Sequence, residues 1–402
     1  MADEGFIIPD DAFVQILLLL PTSSRRRFRL VCRRWRSLID ERTPERQVRT
    51  SILAFIAGDQ PRGSSRAIVF GDGGQGGRRR GGHEWTFWSY DQENGAVHMV
   101  GTCNGLLCLR DAVSLPPAGS RIHSTITVVN PITGEKAVVP PEPWSRRSSP
   151  GRYSFAYHPT TGKYKVVHAT TTGGPAVDTV LVHTLGDSAW REVPVLAADA
   201  SYSDAGDLVS VDGSTYWLTA RADRVVALDL GDDERVTSFE TPPVLRLVSP
   251  GRNSCQLTSV HARLGVVVTR QQPAATRVDV WALERGGDRP LWSRRYSLLQ
   301  ASSADQGRWI TSPHLTQGEH VLCEQTNRWW RKKRLYRRKV GGSMNGNSED
   351  ARVCPSEGSD LLMDDVEAHG KLVATFAYVE TREPLPCEHR SVLGEVSTKI
   401  RQ

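Results

Sequence analysis

From about residue 50 onward the chain is built of short runs rich in Val, Ile, Thr, Tyr and Trp, each closed by Gly, Pro, Asn or Asp. That punctuation is the signature of β-strands joined by turns. The runs include SILAFI, NGLLCL, YSFAYHPTTGKYKVVHA, STYWLTA, LGVVVTR and LVATFAYVE. No convincing amphipathic helix interrupts them, which argues against an α/β enzyme core. One kind of strand also recurs: VVN near residue 129, LVHTL near 183, VALDL near 228, VWALE near 281 and RLYRRKV near 337. Successive spacings of about 46 to 56 residues suit four-stranded propeller blades. Trp190-Arg191 and Trp292-Ser293 follow two of these strands, as an outer blade strand with a packed aromatic would. The expectation is a mainly-β chain with a β-propeller; a pair of β-sandwiches is the competing architecture.

The first 40 residues follow another period. Phe13, Ile16, Leu17 and Leu20 recur at one helical face, after Pro9 and the aspartates Asp10 and Asp11, which suit a helix start. Pro21 ends this helix. Ser23 or Ser24 can cap a second, in which Phe28, Val31, Cys32, Trp35, Leu38 and Ile39 line one side and Arg25, Arg26, Arg29, Arg33 and Arg36 mostly the other. A segment of about 40 residues rarely encloses a core that offsets its own ordering entropy. Val14 and Leu18 add apolar surface off the first face, so this helix pair needs a partner, whether its own chain or another.

Composition narrows the classes. No apolar run reaches the roughly 18 residues of a membrane span, and the opening MADEG places acids where a secretory signal carries positive charge. The expected location is cytoplasmic and/or nuclear. Seven scattered cysteines without a C-x-x-C pair suggest neither a disulfide framework nor a zinc site. The net charge of +6 is local: RWWRKKRLYRRK, residues 328–339, holds eight basic and no acidic residues, and removing those eight charges from +6 leaves −2 on the rest.

The order Ile8-Pro9-Asp10-Asp11, Ile16-Leu17, Leu20-Pro21, Phe28-Arg29, Val31-Cys32, Trp35-Arg36 and Leu38-Ile39 resembles the F-box. In that family the helical module docks its apolar face on a Skp-type adaptor, and through it a cullin ubiquitin ligase. The resemblance implies Pro9, Ile16, Leu17, Leu20, Pro21, Val31, Cys32 and Trp35 as adaptor-facing residues. Arg25-Arg26 stands where many members carry leucines, which weakens that contact or lays arginine stems along its edge. Further along, GTCNGLLCL at 101–109, NPITGEKAVVPP at 130–141, YSFAYHPTTGKYKVVHA at 153–169, SAWREVP at 188–194, VDGSTYWLTA followed by ALDL, and TFAYVETREPLP at 375–386 look like the F-box-associated interaction region of plant proteins, regarded in the family as a kelch-like, substrate-binding domain. The implied organisation is an F-box module over 1–46 with its core at 8–40, a propeller-like domain over 47–390, and a tail over 391–402. The implied function is substrate recognition for a Skp-cullin-F-box ligase, with an unknown target protein as second partner.

Catalytic signatures are missing. There is no G-x-S-x-G elbow and no H-E-x-x-H, and TTGKYK lacks the flanking residues of a phosphate loop. His158, His168 and His183 are the nearest approach to a metal cluster. Neither enzyme activity nor a cofactor or metal is expected. GDGGQGGRRRGG, residues 71–82, reads as a solvated loop, and residues 341–360 as another. The 328–339 run reads as an outer blade strand with Trp329, Trp330, Leu335 and Tyr336 packed inward. The alternative, a nucleic-acid-binding propeller, would use these Gly/Arg-rich and Trp/Lys/Arg-rich segments, and 328–339 would otherwise serve as a nuclear import signal. Neither nucleic acid nor a membrane is the expected partner.

Overall fold

The computed structural model describes residues 8–20, 25, 28, 31–42, 51–57, 64–70, 83–87, 95–113, 125–143, 152–170, 179–195, 208–247, 253–260, 263–271, 275–284, 290–301, 309–317, 320–327, 333–339, 359–363, 371–382, 384–385 and 391–392. Helices α1 (Asp10–Leu19) and α2 (Arg33–Arg42) are followed by six antiparallel sheets. The first holds β1 (Ser51–Ala57), β2 (Ser65–Phe70) and β3 (Glu84–Phe87). The second holds β4 (Gly95–Cys103), β5 (Leu106–Val113), β6 (Thr125–Val129) and β7 (Glu135–Val138). The third holds β8 (Arg152–His158), β9 (Lys163–Thr170), β10 (Thr179–Thr184) and β11 (Arg191–Pro194). The fourth holds β12 (Val209–Val211), β13 (Ser214–Leu218), β14 (Arg224–Asp229) and β15 (Val236–Glu240). The fifth holds β16 (Asn253–Val260), β17 (Arg263–Gln271), β18 (Ala275–Glu284) and β19 (Leu291–Ala301). The sixth holds β20 (Trp309–Gln317), β21 (His320–Asn327), β22 (Lys333–Lys339) and β23 (Ser359–Met363).

Two late strands close the structure. β24 (Lys371–Tyr378) pairs with β1 and becomes the inner strand of the first sheet. β25 (Ser391–Val392) adds to the edge of β7, so sheet pairing runs past the expected boundary at 390. The inner strands touch in a ring, β24 to β4, β8, β12, β16, β20 and back to β24. This ring is a β-propeller, and it removes the competing pair of sandwiches.

Hydrophobic cores lie between successive sheets. Between the third and fourth, Val167, Ala169, Val180 and Val182 pack against Trp217, Val226, Leu228 and Leu230. Middle strands are covered on both faces, which is why β10 reads as a continuous apolar run instead of an alternating one. The recurring strands of the sequence, β6, β10, β14, β18 and β22, are each the third strand of a sheet. The first sheet escaped that repeat because its inner strand arrives from the other end of the chain.

Within each sheet the first and third connections lie at one end and the second connection at the other, as antiparallel order requires. Tight turns mark the first end in the second and fourth sheets. Asn104-Gly105 and Asp212-Gly213 both take positive φ, 49° and 84° in one turn and 49° and 81° in the other, the two-residue hairpin favoured by strand twist. A Cβ on Gly105 would lie 2.4 Å from the Val379 carbonyl, where the chain leaving β24 crosses this turn. The opposite end carries the connections over 114–124, 171–178 and 272–274, which lie outside the described residues.

Candidate docking surfaces

The helical module encloses a small core. Phe13 and Leu17 of α1 meet Leu38 and Ile39 of α2, with Ile8, Leu20, Phe28 and Trp35 packed around them. The Trp35 ring lies 4.4 Å from Phe13 and 5.5 Å from Phe28, the latter edge-on. Arg34 donates to Asp10 and to the Ile8 carbonyl, and Arg42 pairs with Asp11, so α2 grips the start of α1.

The sequence reading expects one helix from Ser23 or Ser24 onward, and the structure divides it. Arg25 and Phe28 carry helical backbone, Val31 sits in a turn, and α2 starts anew at Arg33. Cys32 Sγ accepts the Trp35 backbone N–H at 3.4 Å, acting as a cap for the new helix. This break turns Val31 and Cys32 outward.

The expected adaptor-facing residues therefore separate into two groups. Ile16 is 46% exposed and Val31 59%, with Pro9 and Cys32 also exposed. Leu17 is 0% exposed and belongs to the module's own core. Leu20 and Trp35 are half-buried against the same core. Pro21, Ser23, Ser24 and Arg26 lie outside the described residues. Arg25 is buried, not laid along an edge, and its Nε and Nη1 lack hydrogen-bond partners.

With this geometry in place the relatives become informative. The family model described as "F-box domain" matches residues 6–46, and that described as "F-box associated beta propeller domain" matches residues 85–336. The chain belongs to the F-box-associated β-propeller family. An F-box/LRR-repeat protein of Arabidopsis thaliana is 26% identical over 80% of this chain and 74% of its own length. An F-box protein of the same plant is 22% identical over 72% of each. Among solved structures, prolyl oligopeptidase B from Galerina marginata reaches a TM-score of 0.35 at 12% identity, over 82% of this chain and 43% of that one. A putative 6-phosphogluconolactonase from Bacteroides fragilis reaches 0.33 at 10% identity, over 72% of this chain and 91% of that one. Neither likeness carries an argument.

Polar groups tie the blades of this F-box protein together. Trp190 donates its indole N–H to the Pro140 carbonyl at 2.8 Å, and Trp292 to the Glu240 carbonyl at 2.9 Å. Each bond starts at or one residue before the fourth strand of a sheet and ends at or just past the last residue of the preceding sheet's fourth strand, a repeated tie behind the recurring Trp. At the tight-turn end Lys165 and Arg191 both donate to Glu234, at 2.8 and 2.7 Å.

The end opposite the tight turns holds a different cluster. Arg110 of the second sheet lies 4.8 Å over the Tyr153 ring of the third, and Tyr153 stacks on His168 with centroids 4.0 Å apart. Glu142 accepts the Tyr153 hydroxyl at 2.8 Å and lies 3.0 Å from His168 Nδ1, at ion-pair distance without hydrogen-bond alignment. Burial pushes the Glu142 carboxyl up, but His168, Tyr153 and Arg110 outweigh it and hold the group below the usual carboxylate range. Sequence reasoning named His168 and the 153–169 phrase that holds Tyr153, but only the folded sheets bring them to Arg110 and Glu142.

The remaining motifs find structural places. His158 turns its Nδ1 to the Thr161 N–H, His183 lies beside Trp190, and His168 stacks on Tyr153, so the three histidines do not converge. Burial pushes the Cys255 thiol up to about 12 and Cys108 higher, which leaves neither as a ready nucleophile. Residues 333–339 of the basic run form β22, paired with β21 on one edge and β23 on the other, with Leu335 fully buried. This is the third strand of its sheet, not the outermost one expected. Segment 71–82, Trp329, Trp330 and the Tyr336 side chain lie outside the described residues.

Proposed function

We propose that this F-box protein is the substrate-recognition subunit of a Skp-cullin-F-box ubiquitin ligase. The observation that carries the reading is that Ile16 and Val31, with Pro9 and Cys32, stay exposed on a helical module whose own core is already filled. The F-box domain match over residues 6–46 supplies the partner for these side chains, a Skp-type adaptor. The cullin is engaged through that adaptor. The propeller presents the target at the end opposite the tight Asn104-Gly105 and Asp212-Gly213 turns, where loop sequence can vary without disturbing the cores. Its blades, each an antiparallel run of strands from the ring outward, support a kelch-like description. Catalysis in this reading is proximity: the chain raises the effective concentration of target lysines near the conjugating enzyme and needs no catalytic residue of its own. Size-exclusion chromatography of the full-length chain with a plant Skp-type adaptor and a cullin tests it. Co-elution of all three is expected; elution of the chain apart from the adaptor would contradict the assignment.

A further inference from the structure

Two arginines face each other at the end of the fifth sheet where β17 leads into β18, opposite its other two connections. Arg270 stands near the end of β17 and Arg277 near the start of β18, directly opposite in the antiparallel register. Like charges in that relation destabilise a sheet. Both are held by one carboxylate: Arg277 Nε donates to Asp279 Oδ1 at 3.1 Å, and Arg270 Nη2 donates to Oδ2. The Asp279 side chain is 0% exposed, whereas those of Arg270 and Arg277 keep 31% and 23%. Burial alone would raise the Asp279 carboxyl, but Ser297, Arg277 and Arg270 outweigh it and hold it below the usual carboxylate range. The buried anion thus orients the guanidinium groups from beneath and leaves part of each open to water. Arg270 Nε is buried and has no hydrogen-bond partner among the described residues.

Position and charge add to this. Val266 and Val268 share the face of Arg270, and Trp281 that of Arg277, and these apolar residues pack into the core between the fourth and fifth sheets. The arginine pair therefore sits at the mouth of the cleft between those sheets. Residues 253–301 contain seven arginines and three acidic residues. At the other end of the same sheet Glu284 accepts from Arg263 and Arg295, a second arginine pair of similar chemistry and opposite location.

We infer that Arg270 and Arg277 form a seat for an anionic side chain of the target, taking a carboxylate or a phosphate from an acidic segment. The inference rests on the propeller being the target-binding part. Planar guanidinium groups accept oxyanions through paired N–H donors, and a pair fixed in advance by Asp279 loses less freedom on binding.

Fluorescence anisotropy with the full-length chain tests it, using labelled hexaglutamate and a phosphoserine peptide of matched charge. Arg270→Gln is expected to weaken binding of at least one peptide about tenfold, and Arg295→Gln less than about twofold. Preference for the phosphoserine peptide assigns phosphate; equal binding assigns carboxylate. If Arg270→Gln melts at a lower temperature than the parent, Arg277→Gln is read instead. Absence of peptide binding by the parent chain, or equal weakening by Arg270→Gln and Arg295→Gln, would overturn the seat. So would a single-stranded RNA that binds more tightly with the same dependence on Arg270. Adaptor titration of Arg270→Gln is expected to match the parent, so failure of the seat and failure of the ligase reading appear in different measurements.

Discussion

The helical module and the propeller solve opposite problems with similar side chains. In the module, Phe13, Leu17, Leu38 and Ile39 fill a core of two helices, and Ile16 and Val31 are left in water. In the propeller, each sheet is covered by its neighbours, and residues such as Leu53, Phe55, Leu107, Trp217 and Val266 are fully enclosed. A ring gives every blade two partners; a helix pair gives each helix one. The surplus apolar surface of the module is therefore a property of its size, and docking is what that surplus makes possible.

The largest expected effect breaks the propeller alone. Trp217→Ala removes a fully buried indole between the third and fourth sheets and should cost about 3–5 kcal/mol, read as a drop in the chemical-denaturation midpoint. Adaptor affinity should be unchanged; if docking falls in step with propeller stability, the two regions are not energetically separate.

A smaller effect probes the ties between blades. Trp292→Phe keeps the aromatic body and removes the indole N–H donated to the Glu240 carbonyl, at a cost of about 1 kcal/mol. Trp190→Phe should cost a similar amount, since its bond to Pro140 repeats the geometry. A clear inequality between the two would show that the repeated tie is not equivalent in the two blades.

The smallest is a pH slope. His98, His158 and His183 are all held below 6.5, in each case chiefly by burial. Lys165 also lowers His158, against Asp229, Asp232 and Asp212. An unfolded chain takes up these protons at about 6.5 while the folded chain resists, so stability is full above that pH and declines as pH falls below it. The melting temperature should fall between pH 7 and 5, and His158→Gln should flatten the fall. The helical module contains no histidine among residues 1–46, so its docking surface should not share the slope.

How much of this was legible in the sequence follows the same division. The third strands β10 and β14 stood out because they are buried on both faces, and the recurring Trp stood out because an outer strand needs a large side chain at the blade boundary. The first sheet was illegible as a blade, because β24 lies far from β1 in sequence. In the module, helical spacing identified the apolar face but could not separate Leu17, which points to α2, from Ile16, which points away; that depends on the angle at which the helices cross. The break at Val31 was also hidden, since Cys32 is an unusual cap. The Asp279 pair with Arg270 and Arg277 needed strand register to appear at all.

The most direct test of the account is a calorimetric titration of the full-length chain with a plant Skp-type adaptor, beside Ile16→Asp. Ile16 is exposed, so the substitution leaves the module core intact and places a charge on the surplus surface alone. The account predicts binding by the parent chain and a loss of at least about tenfold in the variant, as expected when a charge is forced into a desolvated contact. Equal affinity for both proteins, with folding verified, would contradict it.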